Sequence, residues 1–110
     1  MAFKAVFIAH APDGDPEKHH TVIETGKYRL HTYVVKNQEQ AIMVCKDLYE
    51  REKIDSVLLC PGFTHKDVAG IFEALDNKVA VCVSRGDGPS SQITGPVLQR
   101  EFFGQNNPSK

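Results

Sequence analysis

Ile54-Asp55-Ser56-Val57-Leu58-Leu59-Cys60-Pro61-Gly62-Phe63-Thr64-His65-Lys66-Asp67-Val68-Ala69-Gly70-Ile71-Phe72-Glu73-Ala74-Leu75 is the stretch whose reading decides the fold. Its first half holds Val57-Leu58-Leu59-Cys60, a short, almost unbroken apolar run, the pattern of a parallel strand covered on both faces. Its second half sets Thr64 and Asp67 at capping-box spacing. Val68, Ile71, Phe72 and Leu75 then form one apolar stripe at i, i+3, i+4 and i+7. A buried strand therefore runs straight into a capped helix. In open α/β sheets such a junction leaves backbone N–H groups pointing into the crevice beyond the strand ends, where ligands bind.

The same alternation continues outward. Toward the N-terminus, Asn37 and Gln40 repeat the capping signal, and Ala41, Val44, Cys45 and Leu48 give a helix reaching about Glu52. Before it, Tyr28 to Lys36 alternates like a strand with one solvated face, hence an edge. Phe3 to Ala9 reads as a buried central strand. Between them, Asp15 as cap, Pro16 at the first position and Gly26 as left-handed closing residue predict a short helix over about residues 16–25. Toward the C-terminus, Lys78 to Ser84 is the most continuous β-type run, after a turn at Asp76-Asn77. Ile93, Val97, Leu98 and Phe102 predict a final helix within 88–103 that Gly95-Pro96 either kinks or splits.

Four strands alternating with helices predict a three-layer α/β domain with a parallel four-stranded sheet, in order 2-1-3-4. That is a truncated flavodoxin-like arrangement; a ferredoxin-like α+β sheet is the alternative. One domain spans 1–103, with a frayed tail at 104–110. In this order the strand at 78–84 is an apolar edge that needs a cover, so a homodimer through that strand or its flanking helix is expected.

Composition narrows the function classes. The chain has 110 residues, 41% hydrophobic and 25% charged, with a formal net charge of −1. That suits a folded domain, and scattered Lys and Arg give no basic stripe for nucleic acid. Ala5-Val6-Phe7-Ile8-Ala9 is too short for a membrane span or a signal-peptide core. Three cysteines without paired spacing fit reduced thiols, so a cytoplasmic protein is expected.

The candidate chemistry lies at the strand ends. Arg85-Gly86-Asp87-Gly88-Pro89-Ser90-Ser91 combines glycines, two hydroxyls, a cation and a helix start, a set suited to a phosphate or carboxylate. It is neither a Walker sequence nor GxGxxG, and an ordinary turn uses the same residue types. Cys60 ends a strand before a helix N-terminus, a setting that can activate a thiol. The spacing Cys60-x5-Lys66 echoes the loop of cysteine phosphatases and arsenate reductases. However, Lys66 stands where those have arginine, and Pro61 removes a loop N–H. A buried structural cysteine is the plainer reading. His10 and His65 are candidate acid-base or donor groups, and Thr64 a candidate ligand contact. His19, His20, Asp13 and Asp15 lack the spacing of a metal site. The loops offer few aromatics beyond Phe63 to stack a flavin, and no particular cofactor is indicated.

His10-Ala11-Pro12-Asp13, Cys60-Pro61-Gly62-Phe63-Thr64-His65-Lys66-Asp67 and Arg85-Gly86-Asp87-Gly88-Pro89-Ser90-Ser91 resemble the signature segments of a family of small uncharacterised prokaryotic proteins. The resemblance reaches to about Phe103 and implies no activity; Gly95-Pro96 departs from it. Together these residues point to a small anionic metabolite held at the C-terminal ends of the strands. His10, Cys60 and His65 are the catalytic candidates, and Thr64, Arg85, Gly86, Asp87, Gly88, Ser90 and Ser91 the binding ones. An oligomeric interaction module and a cysteine-dependent enzyme are the alternatives.

Overall fold

A computed structural model describes residues 1–103; the expected tail at 104–110 lies outside them. The elements are β1 (Phe3–His10), β2 (His20–Glu24), β3 (Tyr28–Val35), α1 (Gln38–Glu52), β4 (Ser56–Leu59), α2 (His65–Ala74), β5 (Ala80–Val83) and α3 (Gly88–Leu98), followed by a π-helical turn, Gln99–Phe103. They form a mixed α/β fold on a five-stranded sheet of order β2-β3-β1-β4-β5. β3, β1, β4 and β5 are parallel, and β2 runs antiparallel on the outside of β3.

β2 replaces the helix expected at about 16–25. Thr21-Val22-Ile23 is a β-branched run, stiff at χ1 and better accommodated on a pleated sheet than on a helix. It pairs with Leu30 to Thr32, so β3 is not the edge that its alternation implied. All five residues of β2 are exposed. Val22 and Ile23 are therefore not the light core cover expected of them. Gly26 sits at the hairpin tip, where Thr25 Oγ1 accepts the Lys27 and Tyr28 N–H groups. Its φ is not positive.

The core lies on one face. Val6, Ile8, Val35, Val57 and Leu59 point from the sheet toward Ala41, Cys45 and Leu48 of α1, Ile71 of α2 and Leu75 at the C-cap of α2, all buried. Both capping signals are used. Asn37 Oδ1 accepts the Gln40 N–H, while Gln40 Oε1 reaches one residue further back to the Lys36 N–H. Thr64 and Asp67 form the full reciprocal box. Asp76 and Asn77 make the expected turn in the left-handed region, which their side chains tolerate.

Among the described residues no helix covers the opposite sheet face, so they form two layers rather than three. The physical reason is topological. Right-handed crossovers from β3 to β4 and from β4 to β5 move the same way across the sheet, which puts α1 and α2 on one side. The return connection that would cover the other side is the β2 hairpin. α3 does not cover it either, since none of its residues is buried. Pro96 neither splits nor ends α3. The helix continues to Leu98, and the Gln99 N–H is shared between the Gly95 and Pro96 carbonyls as the π turn begins.

The N-terminal ends of the strands are clamped around Glu52. Its Oε1 accepts from Arg29 Nε at 3.0 Å and His31 Nε2 at 2.9 Å, and its carbonyl accepts from Lys4 Nζ at 3.0 Å. Arg29 also pairs with Glu24 of β2. Burial works against the Glu52 charge, but His31 and Arg29 outweigh it and hold the carboxyl below its ordinary range. This network ties α1, β1, β2 and β3 together.

Candidate functional site

The parallel register sets His10 beside Val35 and Ile8 beside Leu59, so the residues after each strand emerge at one rim. There they enclose a cavity of about 920 Å³, lined by Ala9–Pro12 from β1, Lys36 from β3, Cys60–Gly62 from β4, and Arg85–Asp87 with Ser90 and Ser91 after β5. Its far wall is α3 and the π turn, through Thr94, Leu98, Phe102 and Phe103. The volume is that of a small-molecule site, and most of its wall is apolar.

Of the candidates, His10, Cys60, Arg85, Gly86, Asp87, Ser90 and Ser91 converge on this cavity; His65, Thr64 and Gly88 do not line it. Thr64 Oγ1 accepts the Asp67 N–H and the Thr64 N–H is donated to Asp67 Oδ2, so the start of α2 is closed by its own box. His65 is exposed beside it. His19 and His20 are used locally. His19 Nδ1 accepts the Asp15 N–H, while His20 lies against the Pro16 carbonyl at 2.9 Å and stacks on Tyr33. Among the described residues no three His, Cys, Asp or Glu side chains are grouped to hold a metal ion.

The loop after β1 is fixed tightly. The Ala11 N–H is donated to the Val35 carbonyl and the Gly14 N–H to the Ala11 carbonyl. A Cβ on Gly14 would stand 2.7 Å from the Val35 carbonyl atoms, so only glycine fits there. His10 is thereby held against Phe63, ring centroids 4.9 Å apart, and its Nε2 is buried with no hydrogen-bond partner among the described residues. Across from it, a Cβ on Gly62 would lie 3.6 Å from Cys60 Sγ and 3.9 Å from His10 Nδ1. The β1 and β4 loops therefore meet at Gly62, with thiol and imidazole flanking one point.

The charges are distributed differently from the sequence expectation. Arg85 is paired with the Asp87 carboxylate, through Nε at 3.1 Å and Nη2 at 3.0 Å. Asp87, at the N-cap of α3, makes no side-chain cap bond, so it neutralises the arginine instead of closing the helix. The Ser91 hydroxyl is donated to the Asp87 carbonyl, leaving Ser90 as the freer hydroxyl. Lys36 lines the cavity and has no acidic partner among the described residues. Sequence reasoning took Lys36 as the last residue of a strand. The rule that singled out His10 and Cys60, position just past a parallel strand, applies equally to Lys36. From sequence Leu98 and Phe102 read only as part of a final helix, and no local signal distinguishes the apolar stripe of a packed helix from a cavity wall.

Cys45 is buried in α1, and burial pushes its thiol up to about 12, the mark of a packing residue. A shallow groove along the outside of α1, between Glu39, Met43 and Glu50, is lined by solvated side chains and shows no convergence of this kind. No helix is long and apolar enough to cross a membrane among the described residues.

Fold and site together define a small mixed α/β domain with a mostly apolar cavity at the C-terminal rim of its parallel strands. The chain belongs to a family of unknown function, DUF6506, whose model matches residues 3–95. The matched range takes in His10, Cys60 and Arg85 to Ser91 and ends just before Pro96. No curated protein and no solved structure matches the chain.

Proposed function

We propose that the protein binds an amphipathic, anionic small molecule in the rim cavity. The observation that carries the reading is Lys36, a cation without an acidic partner on the wall of a mostly apolar cavity fed by all four parallel strands. The anionic head lies toward Lys36 and the first turn of α3, where Ser90 and the backbone N–H groups add donors to the ~+0.5 charge of the helix start. The apolar body lies against Pro12, Leu98 and Phe102. β3, β1, β4 and β5 run parallel in that order, and in open parallel sheets the crevice at the topological switch point is the usual ligand position. The three free thiols suit a reducing compartment.

Thermal-shift screening with phenyl phosphate and octanoate tests this. At 100 times its Kd a ligand adds ~2.7 kcal/mol. Stabilisation that disappears in Lys36→Ala is expected; equal stabilisation of both proteins, or of neither, contradicts the reading.

A second reading rests on Gly62 lying between Cys60 and His10. In it the Cys60 thiol gives its proton to His10 and the thiolate adds to a carbonyl carbon of the ligand, the C=O π pair moving onto oxygen, which takes the proton back from His10 to leave a hemithioacetal. Fast alkylation of Cys60 that slows in His10→Ala favours it, and a rate equal to that of a free thiol removes it.

A further inference from the structure

The sheet face opposite α1 and α2 is a further surface with a task of its own. Register places Phe3, Phe7, Leu30, Ile23, Leu58 and Cys82 on it. Ile23 is 59% exposed, Phe3 46% and Leu58 41%. No position that alternates onto this face in any of the five strands carries a charge. Parallel sheets are covered on both faces, because their strands carry apolar side chains on both, and an exposed apolar patch of this extent marks an interaction site. Among the described residues α3, with no buried residue, does not supply the cover.

We infer that a second copy of the chain covers this face, giving an isologous homodimer packed sheet on sheet. Three observations select a second copy over an unrelated partner. An uncharged face offers no field with which to select an oppositely charged protein, whereas a twofold contact between identical apolar patches needs none. The net charge of −1 gives two copies little mutual repulsion. Strands ~4.8 Å apart rising ~3.3 Å per residue give the face about 450 Å² per protomer. That makes about 900 Å² of flat projection across a pair, just under the ~1,000 Å² of accessible surface that an interface should clear, before the relief of the side chains adds to it. The contact is through the face, with Cys82 and Leu58 near its β5 side, rather than through the β5 edge or α3, and it leaves the rim cavity open.

Light scattering of the full chain across a micromolar concentration series tests the inference. The expected mass is twice 12.2 kDa. Leu58→Glu enters a twofold interface twice and weakens association about a hundredfold or more, giving the single-chain mass with an unchanged far-UV spectrum. In the unaltered chain, alkylation of Cys82 slows several-fold as concentration rises. Ile93→Glu, on equally exposed α3, leaves the dimer intact. A single-chain mass for the unaltered protein at its highest soluble concentration overturns the inference. So does a dimer that survives Leu58→Glu or is lost in Ile93→Glu, and so does a Cys82 alkylation rate independent of concentration.

Discussion

The two ends of the parallel strands use similar residue types to opposite effect. At the N-terminal rim, Glu52 gathers Arg29, His31 and Lys4, and among the described residues the one buried side-chain polar atom there without a partner is His31 Nδ1, on the far side of its ring. At the C-terminal rim, among the described residues, Lys36 has no acid, His10 Nε2 has no partner, Arg85 is spent on Asp87, and α3 starts without a side-chain cap. One rim is satisfied internally. The other holds donors and apolar wall in readiness for something outside the chain. The difference teaches which polar groups are architectural and which are available, a distinction that residue type alone does not make.

Substitution at each rim sharpens or breaks this contrast, and the largest effect belongs to Glu52. Glu52→Ala strands a buried imidazole and lowers unfolding free energy by about 1–3 kcal/mol in urea, while Lys36→Ala stays within ~0.5 kcal/mol. A comparable loss at both rims erases the contrast. Next come the helix starts. Thr64→Ala removes a working cap and costs ~1 kcal/mol, whereas Asp87→Ala, which removes none, leaves chemical-denaturation midpoints nearly unchanged.

The smallest effect is one of pH. The Glu52 carboxyl is held below its ordinary value of 4.5. A depressed folded-state value means that its contribution is complete above the unfolded value and is lost as pH falls through the lower folded one. Acid unfolding between these limits is therefore expected to be shallower in Glu52→Ala, followed by circular dichroism.

Much of this architecture was legible in local sequence signals. The Thr64–Asp67 box, the Asn37 cap, the apolar run at Val57 to Leu59 and the turn at Asp76-Asn77 are each fixed by neighbouring residues, and each appears where its pattern placed it. The hairpin at β2 was not legible, because Pro16 and Gly26 mimic helix boundaries while the β-branched Thr21 to Ile23 decide the outcome through pairing with β3. The second helix layer is missing for two reasons: the segment expected as a helical cover became a strand, and α3 buries none of its residues. At the site, positions just past strand ends were readable because parallel strands deliver them to one rim. His65 and Thr64 were misplaced because a helix N-terminus near a site was equated with a site, although the capping box had already satisfied it. The Arg85–Asp87 pair was invisible for another reason: two residues apart in a loop, either could equally have faced solvent.

Backbone amide NMR of the isotopically labelled chain, titrated with phenyl phosphate and with octanoate, addresses the central claim most directly. Saturable shifts confined to residues around His10, Lys36, Gly62 and Ser90, abolished in Lys36→Ala, with the Glu52 rim unmoved, are expected. Shifts centred elsewhere, or none at saturating ligand, would contradict that claim.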